Sequence, residues 1–205
     1  MAESSVSSLR HEFPALALAI TFIPRRSRLV YADLFLLWME ARRAAYANEA
    51  MIAAVRIAWW RDAIINQQSQ SVPLADRLLV LGKSYPDMLA SVTDALDQMI
   101  SLLAGGAAKS DALAIWNKTI AKQTIIWSQD NPQLSLVHDQ ASQILHALDQ
   151  NLLGHTEQPM PAYSGKDMVF RLIIWLTQDP TRLYYPDQQP LLALKMSMAV
   201  MLRRI

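Results

Sequence analysis

The stretch from Phe22 to Ile64 constrains the fold more than any other part of the chain. It reads FIPRRSRLVYADLFLLWMEARRAAYANEAMIAAVRIAWWRDAI. Pro24 ends the preceding apolar run, because proline lacks a backbone N–H donor and restricts the residue before it. Apolar residues then lie on nearly every side through Met39, which predicts a largely buried helix. Apolar residues at helical spacing after Asn48 predict a second helix, so the stretch indicates two consecutive helices.

The rest of the sequence favours helices as well. Glycine is rare, with 5 residues among 205, and β-branched residues dominate no long run. Capping residues and hydrophobic spacing predict about nine helices, no strand and therefore an all-α globular bundle. Ser27 and Asn48 are predicted to cap the two helices of the opening stretch. The predicted helices cover residues 9–20, 28–47, 49–67, 74–83, 86–104, 110–128, 134–153, 166–178 and 189–204.

The linker-like segment at residues 67–73 is interpreted as a loop within a single domain. The 66 residues before it would form only a thin independent core. We therefore predict one all-helical domain that spans residues 1–205. The absence of cysteine excludes disulfides and thiolate zinc sites.

Charge is distributed unevenly along the chain. Residues 1–61 carry 8 basic and 5 acidic groups, residues 62–160 carry 5 and 10, and residues 161–205 carry 6 and 3. The net charge of +1 gives no indication of a nucleic-acid partner. No apolar run reaches the ~18–20 residues of a membrane span, and no signal peptide is recognisable. We expect a cytoplasmic protein with at most peripheral contact with a membrane.

Several short motifs in the opening stretch are similar to the N-terminal part of the squalene/phytoene synthase family. They are Ile23-Pro24, Arg28, the apolar run from Leu34 to Trp38, and the segment RIAWWRDA at residues 56–63. A weaker similarity to a later segment of the family lies at residues 182–186, RLYYP. The resemblance covers residues 16–66 best. It implies a truncated isoprenoid synthase fold, which is all-helical and surrounds a central cavity.

The same stretch departs from the family at its aspartate-rich motif. In the resembled enzymes two such motifs hold Mg²⁺ ions, which bind the diphosphate of a prenyl substrate. The first motif aligns with residues 42–46, RRAAY, which contain no carboxylate. The guanidinium of Arg42 carries only donors and cannot bind Mg²⁺. The second region has one aspartate, Asp179, with no second aspartate four residues away. We therefore expect no catalytic residue, no metal ligand and no cofactor, with Mg²⁺ required only if an active enzyme remains.

Trp38, Arg42 and Tyr46 lie at i, i+4 and i+8 and share one helix face. The resemblance places that face toward the cavity, where a buried arginine needs a partner. The favoured hypothesis is an ion pair with a carboxylate from the acidic middle of the chain. Its named candidates are Asp94, Asp97 and Asp139. The alternatives are a rotated helix that leaves Arg42 in solvent, and an anion bound directly by the guanidinium.

The candidate residues for binding a ligand or an anion are cationic or aromatic side chains near this helix face. They are Arg28, Trp38, Arg42, Arg43, Tyr46, Arg56 and Arg61. The tryptophans are expected to pack in the core, with an isoprenoid-binding tunnel as the alternative. Trp59 and Trp60 point about 100° apart on their helix, so at least one of them should be deeply buried.

Three functions are compatible with these observations. The favoured one is a catalytically degenerate squalene/phytoene synthase-like protein that is retained for isoprenoid or lipid binding or for protein assembly. One mitochondrial branch of the resembled family is associated with assembly of respiratory complex I and is also poor in the aspartate motifs. The alternatives are an active Mg²⁺-dependent prenyltransferase with altered ligands, and a helical interaction module unrelated to isoprenoids. The expected partners are a lipid, another protein or further copies of the chain, and not nucleic acid.

Overall fold

The computed structural model describes residues 5–66, 72–126, 134–152, 160–165, 168–179, 182 and 192–201. Within these ranges the regular structure is helical and contains no strand, which confirms the predicted all-α class. Ten helices lie in this part of the chain: α1 (Ser5–Glu12), α2 (Pro14–Ile20), α3 (Arg25–Ala45), α4 (Ala50–Ile65), α5 (Pro73–Ser84), α6 (Pro86–Ala104), α7 (Lys109–Ile126), α8 (Leu134–Leu152), α9 (Met168–Thr177) and α10 (Leu192–Met201).

The first predicted helix, over residues 9–20, is two helices in the structure. Phe13 separates α1 from α2 with φ −149° and ψ 81°, outside the helical region. The cause is local, because the ring of Pro14 disfavours a helical conformation at the residue before it. Proline is well suited to its own position at the start of α2, where a backbone N–H would have no helical partner.

The predicted caps of α3 and α4 are wrong. Helix α3 begins at Arg25 with Pro24 at the N-cap position, so Ser27 lies inside the first turn, where its N–H donates to the carbonyl of Pro24 (2.9 Å). In α4 the N-cap residue is Glu49, not Asn48, and its side chain makes no capping hydrogen bond. Both helices therefore begin without side-chain caps and are stabilised chiefly by packing.

Helix α6 agrees with its predicted bounds at both ends. Pro86 begins it, and Gly105 and Gly106 follow its last residue. Gly106 has a positive φ of 78°, a conformation that glycine adopts without a steric penalty. The chain then turns back, and the N–H of Ala107 donates to the carbonyl of Leu102 (2.9 Å). This arrangement closes the helix and starts the connection to α7.

The helices pack largely in chain order. Helix α4 packs against α3 and most extensively against α6, α6 against α7, and α7 against α8, while α3 also contacts α1 and α7. Buried apolar side chains from all ten helices form one core cluster. The predicted burial of α3 is confirmed, since Tyr31, Phe35 and Trp38 are almost fully buried. None of the helices in the described part of the chain has the length and apolar character needed to cross a membrane.

Candidate functional site

The α3 face that carries Trp38, Arg42 and Tyr46 is covered by α7 and α8. The indole Nε1 of Trp38 donates to Oδ1 of Asn117 on α7 (2.7 Å). The indole Nε1 of Trp116 donates to the backbone carbonyl of Trp38 (3.3 Å). Trp38 exposes none of its surface, so its side chain lines no water-sized space. Where the resemblance implies a cavity, this tryptophan is packed in the core.

One helical turn further along α3, Arg42 is paired with Asp149 on α8. The guanidinium Nε donates to Oδ1 of Asp149, and Nη2 lies 3.4 Å from the backbone carbonyl of the same residue. Asp149 is 1% exposed and the Arg42 side chain is largely buried. A buried carboxylate requires such a partner, because removing an unpaired charge from water is very costly.

Tyr46 completes the cluster from the C-cap position of α3. Its hydroxyl donates to Oδ2 of Asp149 (2.6 Å), and its ring lies 5.3 Å from the guanidinium carbon of Arg42. Burial raises the pKa of the Tyr46 phenol well above its ordinary value of 10.0, and the hydrogen bond to Asp149 and the negative charge there raise it further. The phenol therefore stays protonated and remains a hydrogen-bond donor to the carboxylate.

The predicted ion pair of Arg42 is confirmed, but the three aspartates named for it are wrong. Asp97 on α6 pairs with Arg61 (2.7 Å), Asp139 lies near Lys118 (3.8 Å), and Asp94 is exposed. A sequence signal for the true partner was present in α8. Its buried residues include Ala141, Leu145 and Leu148, and position 149 follows Leu145 at i+4. An aspartate that continues a buried stripe at helical spacing must have a partner.

The arginine before this face has a structural role. Nη2 of Arg28 donates to the carbonyl of Thr21 (2.7 Å), and its Nε donates to the carbonyl of Ile23 (3.0 Å). These contacts bind α3 to the turn that follows α2. Arg28 lies 14 residues before Arg42, about 21 Å along the helix axis, so the two arginines do not share a site.

The other predicted binding residues lie on the outer side of α3 and α4. Arg43 pairs with Glu40 (2.8 Å) and with Glu12. Arg61 pairs with Asp62 (2.7 Å) on its own helix, in addition to Asp97. Arg56 is exposed and shares with Arg43 the lining of a pocket of about 210 Å³. The remaining lining residues are Glu40, Ala44, Trp59 and Trp60.

The side chains near Arg42 do not provide the oxygen ligands that a Mg²⁺ ion with a bound diphosphate needs. Asp149 is the carboxylate on this face, and both of its oxygens accept hydrogen bonds from Arg42 and Tyr46. In the described ranges, no group of three or more His, Asp or Glu residues is placed to hold a metal ion. Near the weaker motif, Asp179 accepts from Arg182 (3.2 Å), whose guanidinium lies over the ring of Trp175 (4.3 Å). Residues 183–191 lie outside the described part of the chain.

Comparisons with known proteins identify no relative of this chain. No protein-family model matches this chain, and neither the curated proteins nor the solved structures contain a significant match. The relationship to squalene/phytoene synthases therefore stays a prediction that depends on the motifs in residues 16–66.

Proposed function

We propose that this chain is a catalytically silent relative of squalene/phytoene synthases that serves in protein assembly. The observation that carries the proposal is the cluster of Arg42, Tyr46 and Asp149. It occupies the helix face where the resemblance places the first set of Mg²⁺-binding aspartates. Because the two carboxylate oxygens of Asp149 are both bonded to α3, charge on this face is balanced within the protein.

The packing around Trp38 favours assembly over isoprenoid binding. A prenyl chain needs an apolar channel, and binding sites for such ligands are lined by accessible hydrophobic and aromatic side chains. Trp38 and Trp116 are instead fully buried against each other's helices. Large apolar side chains are exposed on the outer surface of the protein, notably along α4, and exposed apolar patches commonly mark contacts with other macromolecules.

A binding and turnover experiment tests the catalytic part of the proposal. Titration calorimetry with Mg²⁺ and inorganic pyrophosphate should show no metal-dependent binding, and incubation with farnesyl diphosphate and Mg²⁺ should give no squalene or phytoene. An active family enzyme measured in parallel shows that both assays work. Formation of either product by the purified chain would overturn the proposal.

A second experiment tests the assembly role. In an extract of its native host, the chain should elute in size-exclusion chromatography together with another protein at a fixed ratio. Elution of the native chain only as a monomer, or only with further copies of itself, would contradict this role. The result is independent of the turnover assay, so each half of the proposal can fail by itself.

A further inference from the structure

Helix α4 exposes five large apolar side chains, and four of them, Met51, Ile52, Val55 and Trp59, precede Trp60 in the chain, whereas Ile65 ends the helix. Met51 and Val55 are each 62% exposed, and Ile52 and Trp59 are exposed to a lesser degree. Ile52, Val55 and Trp59 lie at i, i+3 and i+7 and form one stripe along the helix. The ring of Trp59 packs edge-on against buried Trp60, with ring centroids 4.9 Å apart. The stripe thus includes an aromatic side chain, Trp59, that lies near the middle of the helix and is held in place by its contact with Trp60.

Two opposite charges flank this stripe at equal distances from Trp59. Arg56 lies three residues before Trp59 and makes no ion pair with any residue that the structure describes. Asp62 lies three residues after it and is contacted by Arg61 through Oδ1 (2.7 Å). Its second oxygen, Oδ2, has no partner within the described ranges. The face thus carries Arg56 without an ion pair and Asp62 with one oxygen, Oδ2, left beside its pair with Arg61, so neither an acidic partner nor an anionic membrane matches both charges.

This charge arrangement is complementary to itself. In an antiparallel pair of helices related by a two-fold axis at Trp59, residue 59 − n lies level with residue 59 + n of the other copy. Arg56 of each chain is then level with Asp62 of the other, and the two Trp59 rings meet at the axis. A parallel pair would place Arg56 beside Arg56 and Asp62 beside Asp62, which costs energy.

We propose that the outer face of α4 is the contact surface of a homodimer in which two α4 helices pack antiparallel about Trp59. Val55 and Ile52 extend the apolar contact from the centre of the pair, and the two Arg56–Asp62 pairs set its direction. Helix α4 has 16 residues, or about 24 Å. One such face is smaller than the ~800 Å² per partner of a standard interface, so we expect association to depend on concentration. The inference does not rest on the proposed function.

Sedimentation velocity of the full chain over a range of concentrations tests the dimer. The parent should change from monomer to dimer as its concentration rises. Val55→Asp should remove the dimer, because it places a carboxylate in the apolar contact. Val80→Asp is the matched control, since Val80 on α5 is equally exposed at 65%, and it should leave association unchanged. A parent that is monomeric throughout, or an effect of Val80→Asp equal to that of Val55→Asp, would overturn the proposal.

A charge exchange tests the antiparallel direction. Arg56→Asp and Asp62→Arg should each weaken the dimer by about tenfold or more, because each places like charges at the same level of the pair. The double variant Arg56→Asp with Asp62→Arg should restore association to near the parent level. Far-UV circular dichroism checks that all variants fold. Failure of the double variant to recover, with folding intact, would refute the proposed geometry.

Cross-linking provides a separate readout, because the chain contains no cysteine. A mixture of an Arg56→Cys chain and an Asp62→Cys chain should give a cross-linked dimer with a short bis-maleimide. Each variant alone should give far less, since identical positions lie on opposite sides of Trp59 in the antiparallel pair. A stronger product from either single variant would indicate a parallel arrangement and contradict the proposal.

Discussion

Helix α3 buries charged side chains, whereas α4, the next helix in the chain, exposes apolar ones. On α3, Asp33 pairs with Arg77 of α5 (2.8 Å) and Arg42 pairs with Asp149 of α8. On α4, the stripe that contains Val55 is covered by no described part of the chain. Helix α3 therefore satisfies its polar groups within one copy of the protein, and α4 leaves apolar surface for a second molecule.

The two helices should therefore respond differently to substitution. Breaking a buried pair leaves an uncompensated charge in the core, which reduces the free energy of unfolding of a single chain. Removing an exposed apolar side chain changes that free energy little, and its effect should appear in association. The predictions below use this difference, from the largest expected effect to the smallest.

The largest loss of stability is expected for Asp149→Ala. It leaves the guanidinium of Arg42 buried without its carboxylate, which should lower the free energy of unfolding by about 3–5 kcal/mol. Urea-induced unfolding, followed by far-UV circular dichroism, measures the change. Val55→Ala on exposed α4 is the control and should stay within about 0.5 kcal/mol of the parent.

A double substitution sharpens this result. Arg42→Leu together with Asp149→Leu removes both charges and should recover most of the stability that Asp149→Ala loses, because replacing a whole buried pair by apolar groups is often neutral. An Asp149→Ala variant as stable as the parent would mean that Arg42 reaches solvent.

The two adjacent tryptophans of α4 repeat the comparison within one helix. Trp60 is 8% exposed and Trp59 is 41% exposed. Trp60→Ala should therefore lower the free energy of unfolding by about 3–5 kcal/mol. Trp59→Ala should lower it by only about 1 kcal/mol, because it removes the ring contact with Trp60. Urea unfolding at low protein concentration measures both without a contribution from association. Equal losses at the two positions would contradict the assignment of one ring to the core and the other to the surface.

Restoring carboxylates to the α3 face should also destabilise the protein. Arg42→Asp with Tyr46→Asp recreates the spacing of the family motif and places two carboxylates opposite Asp149. We expect the free energy of unfolding to fall by more than ~2 kcal/mol, because like charges then meet in a largely buried site. Adding Asp149→Asn to this variant should recover part of the loss. Stability equal to that of the parent would be inconsistent with a packed charge cluster.

The smallest effect concerns Asp33 and pH. Burial raises the pKa of Asp33 above its ordinary value of 3.8, although the hydrogen bond from Arg77 and a further one with Ser5 oppose this. The folded protein then holds the Asp33 proton more tightly than the unfolded chain does. This contribution to stability is fully present below pH 3.8 and is lost as the pH rises through the raised pKa.

Urea unfolding of the parent and of Asp33→Asn over a pH series measures this effect. The stability of the parent relative to the variant should decrease as the pH rises above 3.8. An increase over the same range would mean that Arg77 lowers the pKa of Asp33 more than burial raises it.

Local rules were sufficient for much of the fold. The all-α class, the bounds of α6 and the burial of α3 could be predicted because proline, glycine and helical periodicity act over a few residues. The same rules failed at Ser27 and Asn48, since Pro24 and Glu49 already occupy the N-cap positions. They also missed the break at Phe13, where a proline begins a second helix.

The sequence by itself determined that Arg42 and Tyr46 share a face, that a buried arginine there needs a partner, and that at least one of two adjacent tryptophans is buried. Only the tertiary structure decided that the partner is Asp149, which lies 107 residues from Arg42. It also decided that Trp60 faces the core and that Trp59 faces outward. The periodicity of one helix relates residues three or four positions apart. The partner of a side chain across the core depends on how α8 and α6 pack against α3 and α4, and no local rule specifies that packing.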